Sequence, residues 1–533
     1  MNKFSPENRA RVGLILLVLT AFAWRVQGLT NQSLWRDEVD AIYFALRDLP
    51  ATLAMLINPG QNGPLYFLAL RPWFMLVGAS EFGLRFPSVL AGTVSVPLCW
   101  AVTRQLLGTT DDRPQTTDAS AVGEENSPST KDSAPVPLLA AAFLALNPYQ
   151  LWYGQEGKMY AVIVALMLLA HWVWLRGMQR GGWHTWLAYL MTVSLAMYTH
   201  LLMVLLIPLH LIWFLLAWPQ SRRAWVGYGL ALAGLTLPYL PMVWWQWRLL
   251  VSSQPLTGFT FTPLPQVLRT VLLSHSRGFL PSDDLVRLLP LFFLALAGLV
   301  LGWTEIETRP VQAGWAAWRR FLWLLSWLIV PVLGIYTLSL RQAVFTERYI
   351  IWIAPAAMIC LALGAKVVWH NAGPLAKPLT TILVVYVLSF WLYAGWQQKT
   401  QPMKYDLRSA VTYIAARRQP QTLLILQIPH MEYSYRYYSS DFSADWLTDS
   451  PARLGRWVAG LWTNGGAADA QARSEVDAQM QQMTAGAQEV WVMRSEVEMW
   501  DARHLMDEWL EQHGTVVDRA EFHGAQVKQY RLR

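Results

Sequence analysis

Charge is what this sequence most conspicuously lacks. Asp, Glu, Lys and Arg make up 14% of its 533 residues and hydrophobic residues 54%, whereas a soluble chain carries about a quarter charged residues. Water alone cannot solvate such a surface, which excludes an ordinary soluble enzyme. Cysteine is nearly missing as well. Cys99 and Cys360 each sit alone in a separate apolar run, so neither a disulfide framework nor a zinc knuckle can form, and both read as small core residues. No glycine-rich phosphate loop occurs, which removes the P-loop and dinucleotide-binding classes. The net charge of +7 comes without a basic stripe, so nucleic acid is not a partner.

What abounds is apolar and amphipathic surface. The chain has 30 Trp and 20 Tyr, side chains that collect where lipid meets water. A bilayer-spanning helix needs about 20 mostly apolar residues. Eleven runs qualify, at 12–29, 86–103, 136–152, 159–176, 184–199, 201–218, 225–247, 287–303, 321–340, 349–369 and 379–397. Arg71-Pro72 interrupts a further run at 64–79, and a mid-span charge is costly, so this segment is placed along the interface. Lys3, Arg9 and Arg11 precede the first run, and no small-residue cleavage site follows it, which reads as a retained anchor.

Basic residues orient the chain. A cytoplasmic N-terminus puts Arg104, Arg113, Lys131, Arg176, Arg180, Arg222, Arg223, Arg309, Arg319, Arg320, Lys366 and Lys377 in inner loops. Eleven crossings then leave the C-terminus outside. Residues 109–134 almost lack aromatic and branched apolar side chains and read as a disordered cytoplasmic linker. The texture changes past residue 400. Helical patterns at 404–418 and 500–513 alternate with strand patterns at 422–428, 489–493 and 525–532. The expected architecture is an all-α polytopic membrane domain over 1–400, with a first outer loop at 30–85, and a small extracytoplasmic α/β domain over 401–533.

Polar motifs interrupt the apolar runs at four places, all on the outer face in this topology. The first, SLWRDEVDAIYFALRD (33–48), places Asp37 and Glu38 just after the first span with Asp40 close by. Positions 38–48 form an amphipathic pattern with Ile42, Leu46 and Leu49 on one side. Adjacent carboxylates at a lipid boundary are poorly solvated, which suits one of them to take a proton. The others contain Gln155, Glu156 and Lys158 (147–161), His200 (196–203), and Glu347, Arg348 and Tyr349 (341–351). A transporter places its ionisable groups near the midplane, and here that zone holds nearly none. A longer outer loop, 252–285, carries His275, Arg277, Asp283 and Asp284. Its pattern fits a cover over substrate and a passive cap equally well.

These residues resemble a family. Trp35, Asp37 and Glu38 are similar to the first-loop Trp-x-Asp-Glu signature of the GT-C glycosyltransferases. The branch it resembles holds the bacterial relatives of protein O-mannosyltransferases and the lipid A aminoarabinose transferase. Gly63-Pro64-Leu65-Tyr66-Phe67, Arg85-Phe86-Pro87-Ser88, Asn147-Pro148 with Tyr153, Gln155, Glu156 and Tyr160, and Glu347-Arg348-Tyr349 resemble that branch's later elements, in the same order. Two positions depart from it: Asn62-Gly63 stands where the branch has His-Pro, and Gly157-Lys158 where it has Ala-Arg.

The resemblance implies an inverting transfer of a hexose or pentose from a polyprenyl-phosphate donor to a lipid, glycan or protein acceptor, outside the plasma membrane. It also implies the roles. Asp37 is the candidate base and Glu38 the candidate partner of an oxocarbenium-like transition state. Lys158, Arg348 and Tyr349 are candidates to hold the donor phosphate. Glu156, Tyr66, Arg85 and His200 are candidate substrate contacts. No cofactor is firmly implied. A divalent metal ion at Glu156 is compatible with the sequence, although no cluster with metal-ligand spacing is visible. The other readings left open are a lipid-linked sugar flippase or transporter and a polysaccharide polymerase or ligase.

Overall fold

The computed structural model describes residues 6–58, 63–108, 135–252, 259–281, 285–306, 316–419, 422–427, 431–439, 454–456, 468–497, 501 and 503–533. The linker at 109–134, Asn62, Asp283 and Asp284 lie outside the described residues. The chain forms two compact units. The first gathers Met1–Gly28, Leu49–Ala69 and Arg85–Gln398, the second Leu29–Asp48, Leu70–Leu84 and Lys399–Arg533. A change of texture near residue 400 thus marks the last segment of the second unit, which also takes in the carboxylate motif of the first loop.

The first unit is helical. Among the described residues seven helices are long and apolar enough to cross a membrane: Glu81–Leu107, Tyr160–Arg180, Gln220–Leu249, Leu285–Glu305, Ala317–Ser339, Glu347–Asn371 and Gly373–Thr400. Each coincides with one of the eleven expected runs. Of the other four runs, 12–29 falls on Pro6–Val26, a helix that carries Glu7 and Arg25 at its ends. The run 136–152 stops at Leu146, where Asn147 accepts the Gln150 N–H and Pro148 opens a new short helix. The runs 184–199 and 201–218 are the shorter helical segments Trp183–Thr199 and Leu201–Leu216.

Small residues set one close crossing. A Cβ on Gly298 would lie 1.9 Å from the Cys360 carbonyl oxygen, and one on Gly364 would lie 1.9 Å from that of Leu294. The helices Leu289–Leu301 and Ala354–Asn371 can therefore touch only backbone to backbone, the usual mode where lipid supplies no hydrophobic drive. Gly364→Ala is expected to destabilise the protein by about 3 kcal/mol, read as a lower unfolding midpoint in detergent. Gly229→Ala, where a Cβ meets nothing within 4 Å, should leave the midpoint unchanged.

Ionisable side chains are buried within the apolar helices after all, His171 and His210 among them, and Arg25 is buried in the last turn of the first helix. Arg25 donates from Nη1 to the carbonyls of Ala21 (3.2 Å) and Ala145 (3.0 Å). The Tyr189 hydroxyl lies 2.9 Å from His210 Nδ1, and His210 Nε2 lies 2.8 Å from His171 Nδ1. Trp174, Trp213 and Trp327 wall in this chain of polar atoms. Buried polar groups are usually paired internally; Tyr189, His210 and His171 pair across three helices, while Arg25 Nε and His171 Nε2 have no hydrogen-bond partner among the described residues.

The second unit holds a five-stranded sheet: β1 (Leu423–Leu426), β2 (Leu454–Arg456), β3 (Glu489–Ser495), β4 (Gly514–Phe522) and β5 (Ala525–Leu532), in the order β2-β1-β3-β5-β4. β1 runs parallel to β2 and β3, and β5 antiparallel to β3 and β4. Side chains alternate between faces. Leu423, Ile425, Val490 and Val492 pack with the helices Ala470–Thr484 and Leu505–His513. Leu424, Leu426, Trp491 and Met493 pack with Leu407–Ala415 and Met431–Ser439. Helices on both faces explain why β1 and β3 read as continuous apolar runs.

Of the expected helix at 500–513 the structure describes Leu505–His513, and Asp501 accepts the N–H groups of its first two residues, Leu505 and Met506. The β4–β5 turn needs its glycine: Gly524 has φ +66, and a Cβ there would lie 2.0 Å from the Tyr405 ring.

Candidate active site

In the first unit, four separated motifs gather around Lys158, Tyr160 and Arg348. Gly63 admits the first of them. A Cβ at this position would lie 2.1 Å from the Tyr198 carbonyl oxygen, so the Gly-Pro-Leu-Tyr-Phe backbone lies directly on the end of the helix that leads into His200. This gives the Asn-Gly departure a physical reason. Tyr66 and Phe67 are buried, and the Phe67 ring lies 5.5 Å from Lys158 Nζ. Ser88 Oγ donates to the Lys158 carbonyl at 3.0 Å, which joins the Arg-Phe-Pro-Ser element to the same turn. Arg85, one turn earlier in that helix, is also buried.

The third motif makes that turn. The Lys158 N–H donates to the Glu156 carbonyl at 2.8 Å, and Glu156 is wholly buried. Gln155 Nε2 donates to the carbonyls of Arg25 and Gln27, at 2.7 and 3.0 Å, and so ties the turn to the end of the first helix. The fourth motif closes the site. Arg348 Cζ lies 5.7 Å from the Tyr160 ring centroid, while Glu347 accepts from Tyr153 Oη at 3.3 Å and from Thr346 Oγ1 at 3.0 Å. Tyr349 meets the His200 ring edge-on at 4.7 Å and the Phe259 ring at 5.9 Å.

His200 is buried in this group. Burial, together with the nearby Arg348 charge, lowers its pKa to about 3, so the imidazole is neutral between pH 5 and 8. Its Nδ1 accepts the Leu202 N–H at 3.3 Å, which assigns the ring proton to Nε2. That N–H has no partner among the described residues. The first unit therefore presents two cationic side chains, two carboxylates (Glu156 and Glu347) and a neutral N–H donor among buried aromatic rings. In such surroundings fixed donors bind an anion far more strongly than in water.

In the second unit, Asp37 and Glu38 occupy the first turn of the helix Arg36–Leu46, where negative charge suits the helix dipole. Val39, Ile42 and Ala45 form its buried side. Leu49, expected on the same stripe, instead opens the next helix. The two carboxylates differ sharply. Asp37 keeps 24% of its side chain exposed. Glu38 has none exposed, and its Oε2 pairs with Lys404 Nζ at 2.9 Å. Arg36 Nη1 pairs with Glu496 Oε2 at 2.9 Å. Arg71, the charge that breaks the run at 64–79, donates to the carbonyls of Ala45 (3.2 Å) and Arg47 (2.8 Å) at the far end of this helix.

The two candidate catalytic carboxylates thus belong to the second unit, and Tyr66, Arg85, Glu156, Lys158, His200, Arg348 and Tyr349 to the first. Lys404 and Glu496 have no place in the sequence reading, because nothing local marks them. Among the described residues no three His, Cys, Asp or Glu side chains gather to hold a metal ion.

No family model matches the chain, and no curated protein does. Solved structures do match. ArnT from Cupriavidus metallidurans in the apo state superposes with a TM-score of 0.56 at 14% identity over 98% of both chains. The same protein bound to undecaprenyl phosphate gives 0.54 at 12% over 97% of each. The oligosaccharyltransferase AglB from Archaeoglobus fulgidus, in complex with an inhibitory peptide and a dolichol-phosphate, gives 0.52 at 11%, over 96% of this chain and 73% of AglB. The chain has the GT-C fold. Its apolar helices make it a multi-pass membrane protein, and a small sheet stands in its C-terminal part. At such identities backbone topology carries the likeness.

Proposed function

We propose that this GT-C protein is an inverting glycosyltransferase that moves a sugar from a polyprenyl-phosphate donor to an acceptor hydroxyl outside the membrane. Asp37 takes the proton from that hydroxyl. The freed oxygen attacks the anomeric carbon from the face opposite the phosphate, so the configuration inverts. The bond between that carbon and the phosphate oxygen breaks, and its electron pair stays on the phosphate. A phosphate leaves without a general acid if fixed positive charge meets it. Lys158 and Arg348 supply that charge, and Tyr349 and the His200 Nε2–H supply hydrogen bonds. Lys158 gives a point charge where the resembled branch has the fork of an arginine. Glu38, wholly buried against Lys404, orients the helix rather than touching sugar.

The observation that carries this reading is the group formed by Lys158, Tyr160, His200, Arg348 and Tyr349, which is built to receive an anion beside apolar surface. Undecaprenyl phosphate in ArnT and dolichol-phosphate in AglB are ligands of that chemistry. The test is to incubate the protein in lipid nanodiscs with a panel of undecaprenyl-phosphate-linked hexoses and pentoses, and to measure sugar release by mass spectrometry. Turnover of at least one donor is expected. If none turns over while the protein stays folded, the assignment is wrong.

His200 makes a separate prediction. His200→Phe removes the N–H and should weaken binding of undecaprenyl phosphate about 10- to 100-fold, as expected for a lost hydrogen bond to a charged group. Because the imidazole is already neutral, wild-type binding measured by native mass spectrometry should show no step from this residue between pH 5 and 8.

A further inference from the structure

Residues 29–48 are held by the C-terminal segment of their own unit at almost every turn. Gln32 Oε1 accepts the backbone N–H groups of Met403 (2.9 Å) and Lys404 (2.8 Å). Ser33 Oγ donates to the Tyr405 carbonyl at 2.6 Å. Tyr438 Oη accepts the Leu34 N–H and donates to Glu81 Oε1, both at 2.6 Å, while Arg408 forms a forked pair with Glu81. Tyr43 stacks on Tyr433 with ring centroids 3.9 Å apart. Two ion pairs then flank Asp37 in sequence, Arg36 with Glu496 and Glu38 with Lys404.

Two features set these ion pairs apart from ordinary packing. The Glu38–Lys404 pair is buried on both sides, with side chains 0% and 6% exposed. Burying a charge pair gains little stability over an apolar pair of the same volume, and its best-attested use is to fix geometry. Glu496 stands at φ +50 immediately after β3, a left-handed conformation that a side chain rarely adopts. Such strain persists only where its surroundings impose it. Here it turns the carboxylate to Arg36. Burial raises the Glu496 pKa, and the neighbouring Asp37 charge adds to the rise while Arg36 opposes it.

We propose that Lys404 and Glu496 are positioning residues: by clamping Glu38 and Arg36 they fix the helix turn that presents Asp37 for proton transfer. The inference rests on Asp37 being the base. A positioning role means that losing either should slow the chemical step and leave donor binding alone. General-base catalysis depends steeply on the placement of the base.

The test uses the full-length protein in nanodiscs with two variants. Lys404→Met removes the buried ammonium. Glu496→Gly removes the carboxylate and at the same time relieves the left-handed strain, so it should fold at least as well as wild type. In both, kcat with an undecaprenyl-phosphate-linked sugar should fall at least tenfold while the donor KM stays within twofold. Hydrogen–deuterium exchange over residues 29–48 should accelerate in both. An unchanged kcat in Glu496→Gly overturns the proposal, and so does wild-type exchange over 29–48 in both variants. The exchange readout needs no substrate. If wild type turns over no donor, the transferase reading fails while exchange still decides whether the clamp exists.

Discussion

Asp37→Asn is expected to lower kcat for transfer by 10²- to 10⁴-fold, the usual contribution of a positioned base, or about 3–5 kcal/mol of barrier. The substitution keeps shape and removes basicity, so donor binding should persist and only the proton-transfer step should fail. Asp37 is the better placed of the two carboxylates, since it is the one with exposed surface, whereas Glu38 is enclosed with Lys404. The measurement is a single-turnover assay with a saturating undecaprenyl-phosphate-linked sugar, after a thermal-shift control for folding. Wild-type turnover by Asp37→Asn would remove this residue from the chemistry.

Arg348→Met carries the second large effect. A leaving phosphate concentrates charge as its bond to the sugar breaks, and a guanidinium held among aromatic rings loses no reorganisation energy in meeting it. Removing one such donor should cost about 10²- to 10³-fold in kcat/KM, or about 3–4 kcal/mol. Free undecaprenyl phosphate should also bind more weakly, because the product carries the same charge. The Tyr160 ring under the guanidinium makes Arg348→Lys a useful companion. It keeps the charge and loses the planar fork, so an intermediate loss is expected. Wild-type kcat/KM in Arg348→Met would place the donor phosphate elsewhere.

The sequence showed the sheet-bearing unit in outline and missed much of its detail. β1, β3 and β5 were legible because apolar runs or strict alternation announce them. The helix Ala470–Thr484 was not, because among Gln and Asp side chains it buries only Ala472, Val476, Met480 and Thr484, one residue per turn. Met431–Ser439 is built on a stripe of Met431, Tyr435 and Tyr438, but tyrosines also fill its other side and blur the helical period. Seven of the eleven expected runs are helices of full crossing length among the described residues; hydropathy cannot see a cap such as Asn147, which ends one helix and opens another within a single apolar stretch. No local pattern announces the partner of Arg71, whose guanidinium caps the carbonyl end of the helix that bears Asp37 and Glu38.

The sequence alone determined that this chain must be solvated by lipid, that its texture changes near residue 400, and that its polar chemistry falls in a few short motifs. Composition and local pattern settle these, because the partition of a segment between water and lipid depends on that segment's own side chains. Tertiary structure decided which distant residues answer those motifs: Phe67 and Ser88 at Lys158, Tyr160 at Arg348, Lys404 at Glu38, and Glu496 at Arg36. Such pairings depend on where chain segments hundreds of residues apart come to rest, and that follows from the burial of whole faces rather than from any local pattern.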